Sequence, residues 1–391
     1  MTHPLAPGAS GAAALRAARA RPLLLCLSHL RWNFVFQRPQ HLLTRAAAHH
    51  DVVYVEEPVF EPDAEPGWRT TETDGITVAT PVLPEGQSQR AQHQALEALV
   101  DRLVGLRRPA IAWYYTPLAL DFTRRLAADV TVYDNMDELT LFHGADSRIA
   151  LLETELMSRA DIVFTGGYSL FEAKKGRHRN IHAVPSSVDT AHFARIPAAP
   201  TVDPADQAAL PHPRAGFFGV IDERMDMGLL DRLAALRPDV QFVMVGPVVK
   251  IAPDSCPSRP NIHWLGGRNY AELPAYLHHW DVGLMPFALN EATRFISPTK
   301  TPEFLAAGLP VVSTPIRDVV RPYGERGLVE IATTAEAASA ALDTAIARAR
   351  TPQWQAAVAR QLASSSWDST WVSMLARVEA LSIRTEEFAD A

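Results

Sequence analysis

Short apolar runs alternate with amphipathic stretches along most of the chain. Residues 23–28 (LLLCLS), 51–56 (DVVYVE), 110–115, 130–134 and 161–165 (DIVFT) have the composition of buried strands. Between them, residues 39–48, 87–106 and 148–159 carry helical patterns, with Pro39 suited to a first helical turn. This βαβ succession predicts a mostly parallel sheet covered on both faces. The pattern breaks at residues 196–213 (IPAAPTVDPADQAALPHP), read as a linker. It resumes with strands at 216–220, 240–246, 262–265 and 281–285 and helices at 229–236 and 273–278.

Residues 297–315 (SPTKTPEFLAAGLPVVSTP) then predict a loop, a short helix and a buried strand at 311–314. Pro302 fits the first helical position with Thr301 as N-cap. Trp367 and Trp371 lie one turn apart and suit the anchoring of a last helix that crosses back between domains. The resulting division is a flexible leader at 1–21, a domain at 22–195, the linker at 196–213, a second domain at 214–365, and a C-terminal helix and tail at 366–391. A ligand cleft is expected between the domains, at the carboxyl ends of their strands.

Length supports this division, since 391 residues suffice for two cores. Hydrophobic residues make up 47% and charged residues 21%, as in ordinary soluble proteins. The net charge of −7 argues against a nucleic-acid partner. Cys26 and Cys256 form no metal-ligand pattern, and reduced thiols point to a cytoplasmic setting. There is no apolar run long enough to span a bilayer. The basic run at residues 174–179 (KKGRHR) reads as a solvated helix end, or as a surface facing an anionic acceptor or membrane.

Candidate chemistry concentrates at strand ends. Lys300 precedes the helix start and Glu303 lies in its first turn. A cation suits phosphate, whereas a carboxylate suits hydroxyls, so the pair suggests a site for a nucleoside diphosphate. Gly219 lets a ligand approach the backbone after a strand, and Arg224 could reach the phosphates from the other side. Ser297 and Thr299 belong to the same loop as Lys300. In the first domain, His29, Arg31, Trp32 and Arg38 crowd the loop after the first strand and suit a polar acceptor. Asp134 and Asp137 form a carboxylate pair that could serve acid–base chemistry or hold a divalent ion. Glycine fingerprints for dinucleotides, P-loops, serine-hydrolase elbows and H-E-x-x-H are absent.

Four segments, at residues 28–43, 133–139, 164–193 and 216–315, resemble bacterial GT-B glycosyltransferases of the family 4-like, group 1 kind. The branch they resemble most is linked to cell-surface polysaccharide of the teichuronic-acid type. The resemblance implies two Rossmann-like domains, with the acceptor on the first and the nucleotide-sugar donor on the second. It implies ribose contacts from Glu303, diphosphate contacts from Lys300 and Arg224, and close approach at Gly219. It implies a glycan or lipid-linked acceptor, a retaining and metal-independent reaction without cofactor, and possible peripheral contact with the inner face of the membrane. Were the reaction inverting, His29 or Asp137 would be the base. The resemblance also has a departure: many such enzymes carry two glutamates separated by seven residues, and here Phe295 occupies the first position, with Glu291 the nearest upstream carboxylate. A sugar-nucleotide epimerase of the same fold and an inactive nucleotide-sugar-binding protein remain alternatives.

Overall fold

The computed structural model describes residues 21–105, 107–195, 201–349 and 351–389. The expected leader and the first residues of the expected linker lie outside this set. In the N-terminal half the strands are β1 Leu23–Leu27, β2 Asp51–Val55, β3 Val59–Glu61, β4 Gly67–Thr73, β5 Ile76–Pro84, β6 Ile111–Tyr114, β7 Val130–Asn135, β8 Ile162–Thr165 and β9 Ile181–Ala183. They form one sheet in the order β3-β5-β2-β1-β6-β7-β8-β9, with β4 antiparallel on β5 and the other pairings parallel. Side chains of β1 alternate between two cores, Leu24 and Cys26 on one face, Leu23, Leu25 and Leu27 on the other. That two-sided burial is why the strand reads as a continuous apolar run.

The C-terminal half holds β10 Arg214–Phe218, β11 Gln241–Val245, β12 Ile262–Gly266, β13 Val282–Met285, β14 Val311–Ser313 and β15 Val329–Ile331. All pair in parallel, in the order β12-β11-β10-β13-β14-β15. Chain order reverses on either side of β10 here, as it does on either side of β1 in the first sheet. Ligand crevices form at the carboxyl ends of strands at such switch points. The loops after β1, β7, β10, β11, β12 and β13 therefore supply the walls of the interdomain cleft.

The helix Trp367–Ala389 returns to the N-terminal half. Trp367, Trp371, Met374 and Val378 are buried in the same core as Leu24, Trp113 and Phe164. Residues 201–213 are not a free connector. Gln207 is fully buried and accepts a hydrogen bond from the Trp280 indole at 2.9 Å, while Asp203 pairs with buried Arg214 at 2.8 Å. The proline-rich composition hid this packing, because it gives no periodicity.

Two further readings are corrected. Lys174 is no solvated lysine: it is buried and pairs with Glu153 and, at 2.7 Å, with Glu138. The helix carrying Glu303 runs Lys300–Ala306 with Thr299 at its N-cap, two residues earlier than Thr301. Pro302 then falls at the third helical residue. It is tolerated because first-turn amides lack intrahelical acceptors.

Candidate functional site

The carboxyl end of β10 sets the floor of the cleft. Gly219 has φ +123°, a conformation that favours glycine, and a Cβ there would lie 2.6 Å from the Lys300 ammonium. The glycine thus opens the seat that Lys300 occupies. The ammonium also lies 5.8 Å from the Phe217 ring and 5.7 Å from the Phe218 ring. Glu303 is one helical turn on, buried, with its carboxyl bonded to the Thr299 side chain. Burial pushes Glu303 up to about 8 and Lys300 down, while each group's charge partly offsets the shift of the other.

Arg224 follows on the loop after β10. It makes a two-pronged pair with Asp222, Nε to Oδ1 at 2.9 Å and Nη2 to Oδ2 at 2.7 Å. Its Nη1 has no partner among the described residues. The guanidinium rests 5.6 Å from the ring of Phe142, an N-terminal-domain residue, and Lys250 approaches the same ring at 5.4 Å. Lys300, Arg224, Ser297, Thr299 and Asp137 line a cavity of about 100 Å³ where the two domains meet. Burial raises Asp137 to about 6, against the opposing pull of Arg224.

This recess adjoins a larger cleft of about 600 Å³ that Lys300, Glu303, Arg224 and Gly219 also line. Across from them stand Trp32, Phe34 and Phe36 of the β1 loop. Phe36 stacks on Tyr270 of the C-terminal domain at 4.5 Å, and His192 stacks on Tyr270's other face at 4.2 Å. The buried Tyr270 hydroxyl has no hydrogen-bond partner, and burial, then Glu303, raises its pKa. Phe34 and Phe36 belong to the aromatic loop after the first strand that the sequence marks for sugar stacking, whereas Tyr270 was not singled out. The signal for Tyr270 was its place just beyond Gly266-Gly267 at the end of β12.

The other expected residues are placed differently. Arg38 lines the Lys300 recess, but its guanidinium is buried against Asp134, Nε to Oδ2 at 2.9 Å, and also donates to the Val184 carbonyl. It is an internal ion pair rather than an acceptor contact, and it consumes one member of the Asp134–Asp137 carboxylate pair. Arg31 turns away to Glu56 at 3.1 Å and to the carbonyl of Pro58. Trp32 does line the cleft, edge-on to Tyr54. His29 lines neither cavity; burial, then Lys250, lowers it to about 4. Phe295 lies under Arg294 at 5.1 Å, and Glu291 pairs with that same exposed arginine, so neither reaches the cleft. Among the described residues, no group of three or more acidic, histidine or cysteine side chains could hold a metal ion.

Residues 212–348, which include Gly219, Arg224, Lys300 and Glu303, match the family model for glycosyl transferases group 1. A putative teichuronic acid biosynthesis glycosyltransferase of Bacillus subtilis (strain 168), TuaH, is 31% identical over 173 residues, 41% of this chain and 42% of that relative. The alignment with this curated relative thus spans less than half of its length. Solved structures share the whole architecture. Sucrose-phosphate synthase from Thermosynechococcus elongatus superposes with a TM-score of 0.69 at 14% identity, over 95% of this chain and 100% of that one. The E. coli trehalose-6-phosphate structure bound with UDP-2-fluoro glucose gives 0.66 at 14% identity, over 91% and 98%. The two facing parallel-sheet domains are therefore a GT-B fold, and the residues that match the glycosyl transferase model contribute the cationic floor of its cleft.

Proposed function

We propose that the protein is a glycosyltransferase that moves a sugar from a nucleoside-diphosphate sugar to a glycan or lipid-linked acceptor in cell-surface polysaccharide synthesis. The observation that carries this reading is the seat of Lys300 on Gly219, one helical turn from Glu303 and across the recess from the free Nη1 of Arg224. Departure of a nucleoside diphosphate builds negative charge on its phosphates. Lys300 and Arg224 stand where they would meet it, inside a partly buried recess in which such contacts are strong. Glu303 offers carboxyl oxygens to the ribose hydroxyls. The family match of this domain and the name of the Bacillus relative support the reaction class and the polysaccharide setting.

The reaction is proposed to be retaining and independent of metal and cofactor. Retention needs no dedicated base. Asp137 would be the base of an inverting route, since it lines the recess and titrates near neutrality, whereas His29 does not line it. No described helix is long and apolar enough to cross a membrane, so access to a lipid-linked acceptor is proposed through peripheral contact.

The test is turnover of UDP-, GDP-, ADP- and dTDP-sugars with and without glycan acceptors, in wild type and Lys300→Ala. The variant should lose roughly a hundred- to thousandfold in rate, the usual effect of deleting one charge-stabilising donor. Near-normal turnover in Lys300→Ala defeats the assignment. Conversion of donor alone to an isomer defeats the transferase reading in favour of an epimerase. NMR of the product's anomeric carbon distinguishes retention from inversion.

A further inference from the structure

A cavity larger than the cleft lies elsewhere in the molecule. It holds about 930 Å³ between the helix Tyr168–Lys174 and the strand β9 of one domain and the segment around Arg317–Gly324 of the other. The helices Pro352–Leu362 and Trp367–Ala389 close its third side. Three arginines line it: Arg321, Arg326 and Arg377. Many of the described arginines pair with carboxylates, but none of these three forms an ion pair. Arg326 bonds only the neutral amide of Gln361, and Arg321 and Arg377 have no hydrogen-bond or ion-pair partner among the described residues. The two carboxylates in the lining are already engaged. Glu172 pairs with Lys175 at 2.7 Å, and Asp318 accepts from Ser169. The cavity therefore carries an uncompensated positive charge.

Its remaining walls have a second character. Ser186, Ser364 and Ser373 present hydroxyls without partners among the described residues, and Tyr168 stands half exposed at the rim. Guanidinium groups pair with phosphate or carboxylate oxygens, hydroxyls pair with hydroxyls, and a tyrosine ring offers an apolar face to a sugar. The volume is that of a small-molecule site. Ser297 and Pro298 line this cavity and also the recess of Lys300, so the two sites stand back to back across one loop.

We propose that this arginine-lined cavity is a second binding site, separate from the cleft, for an anionic sugar bearing a phosphate or carboxylate. The source is either a free sugar phosphate or an acidic residue within a glycan chain. The experiment is isothermal titration of the full chain with glucose 6-phosphate, with a glucuronic-acid disaccharide, with glucose and with inorganic phosphate. It is run on wild type and on the double variant Arg321→Gln, Arg377→Gln, with and without saturating UDP. Saturable binding of either anionic sugar to wild type is expected, and the one that binds identifies the source. In the double variant binding should weaken roughly tenfold or more, the scale of a lost charge-assisted hydrogen bond. Both arginines are exposed, so folding should be preserved and the melting temperature unchanged. Absence of saturable binding up to about 10 mM, weaker than specific sites of this size achieve, overturns the proposal. So does undiminished binding in the double variant, or displacement by UDP, which would place the ligand in the cleft. Inorganic phosphate binding as tightly as the sugar phosphate overturns the sugar assignment.

Discussion

Asp318 of the C-terminal domain caps a helix of the N-terminal domain: its Oδ1 accepts the backbone N–H of Ser169 at 3.0 Å, and the Ser169 hydroxyl donates to the same oxygen. Gly167 makes the approach possible, since a Cβ there would meet both Asp318 and the Ser297 side chain. The two domains are thus joined by a buried helix cap directly behind the loop that carries Lys300. Asp318→Ala should cost about 1–2 kcal/mol of stability, the range for a lost N-cap whose amide stays buried. Thermal unfolding checks the loss. Gly167→Ala should reproduce it by steric displacement.

Donor binding should depend on pH through Glu303. Burial raises this carboxyl to about 8, so near neutrality it is largely protonated in the free protein. Ribose hydroxyls are better held by the ionised form, which only accepts. Nucleoside diphosphate affinity should therefore tighten as pH rises from 7 through about 8, and Glu303→Gln should abolish that rise. Titration calorimetry of the nucleotide at several pH values measures it. A rise of equal size in Glu303→Gln would remove Glu303 from the ribose contact.

Asp137 makes a stability prediction with a defined sign. Its folded value of about 6 lies above the ordinary 3.8, so the folded state favours the protonated form. That preference stabilises the fold below 3.8 and is lost as pH rises through about 6. Asp137→Asn removes the cost of the buried charge. The variant should be more stable than wild type at pH 8, by on the order of 1 kcal/mol, and the advantage should fade as pH falls from about 6 towards 3.8. Denaturant unfolding at pH 8 and pH 4 tests this.

Arg38 should behave as a structural residue. Both partners of its pair with Asp134 are almost wholly inaccessible, at 1% and 0% side-chain exposure. Removing one partner of such a pair leaves an uncompensated buried charge, worth about 3–5 kcal/mol. Arg38→Ala should lose folded protein in circular dichroism melts. A well-folded variant with only a raised KM for acceptor would contradict the internal role.

The main strands could be read from the chain because they are buried on both faces, so composition alone marks runs such as residues 23–28 and 161–165. The β4–β5 hairpin escaped for the opposite reason. Its residues mix polar and apolar side chains, with no residue of β4 buried, and only the Asp74-Gly75 turn marked it. Lys300, Glu303, Gly219 and Arg224 were legible because strand ends and glycines announce a ligand-facing loop. The partners of Arg31 and Lys174 could not be read in the same way, because a charged side chain has the same letter whether it meets solvent, substrate or a buried partner.

The sequence by itself determined two α/β halves, the carboxyl strand ends as the place of the site, and the residues of its cationic floor. These are local matters of periodicity, turn chemistry and charge. Only the tertiary structure decided which charges remain available. Asp134 lies 96 residues from Arg38, and Asp318 lies 149 from Ser169, yet each pair is closed. Arg321 and Arg377, by contrast, are brought to one cavity without an ion-pair partner among the described residues. Pairing across such distances depends on how the sheets and helices pack, and no local pattern in the chain encodes it.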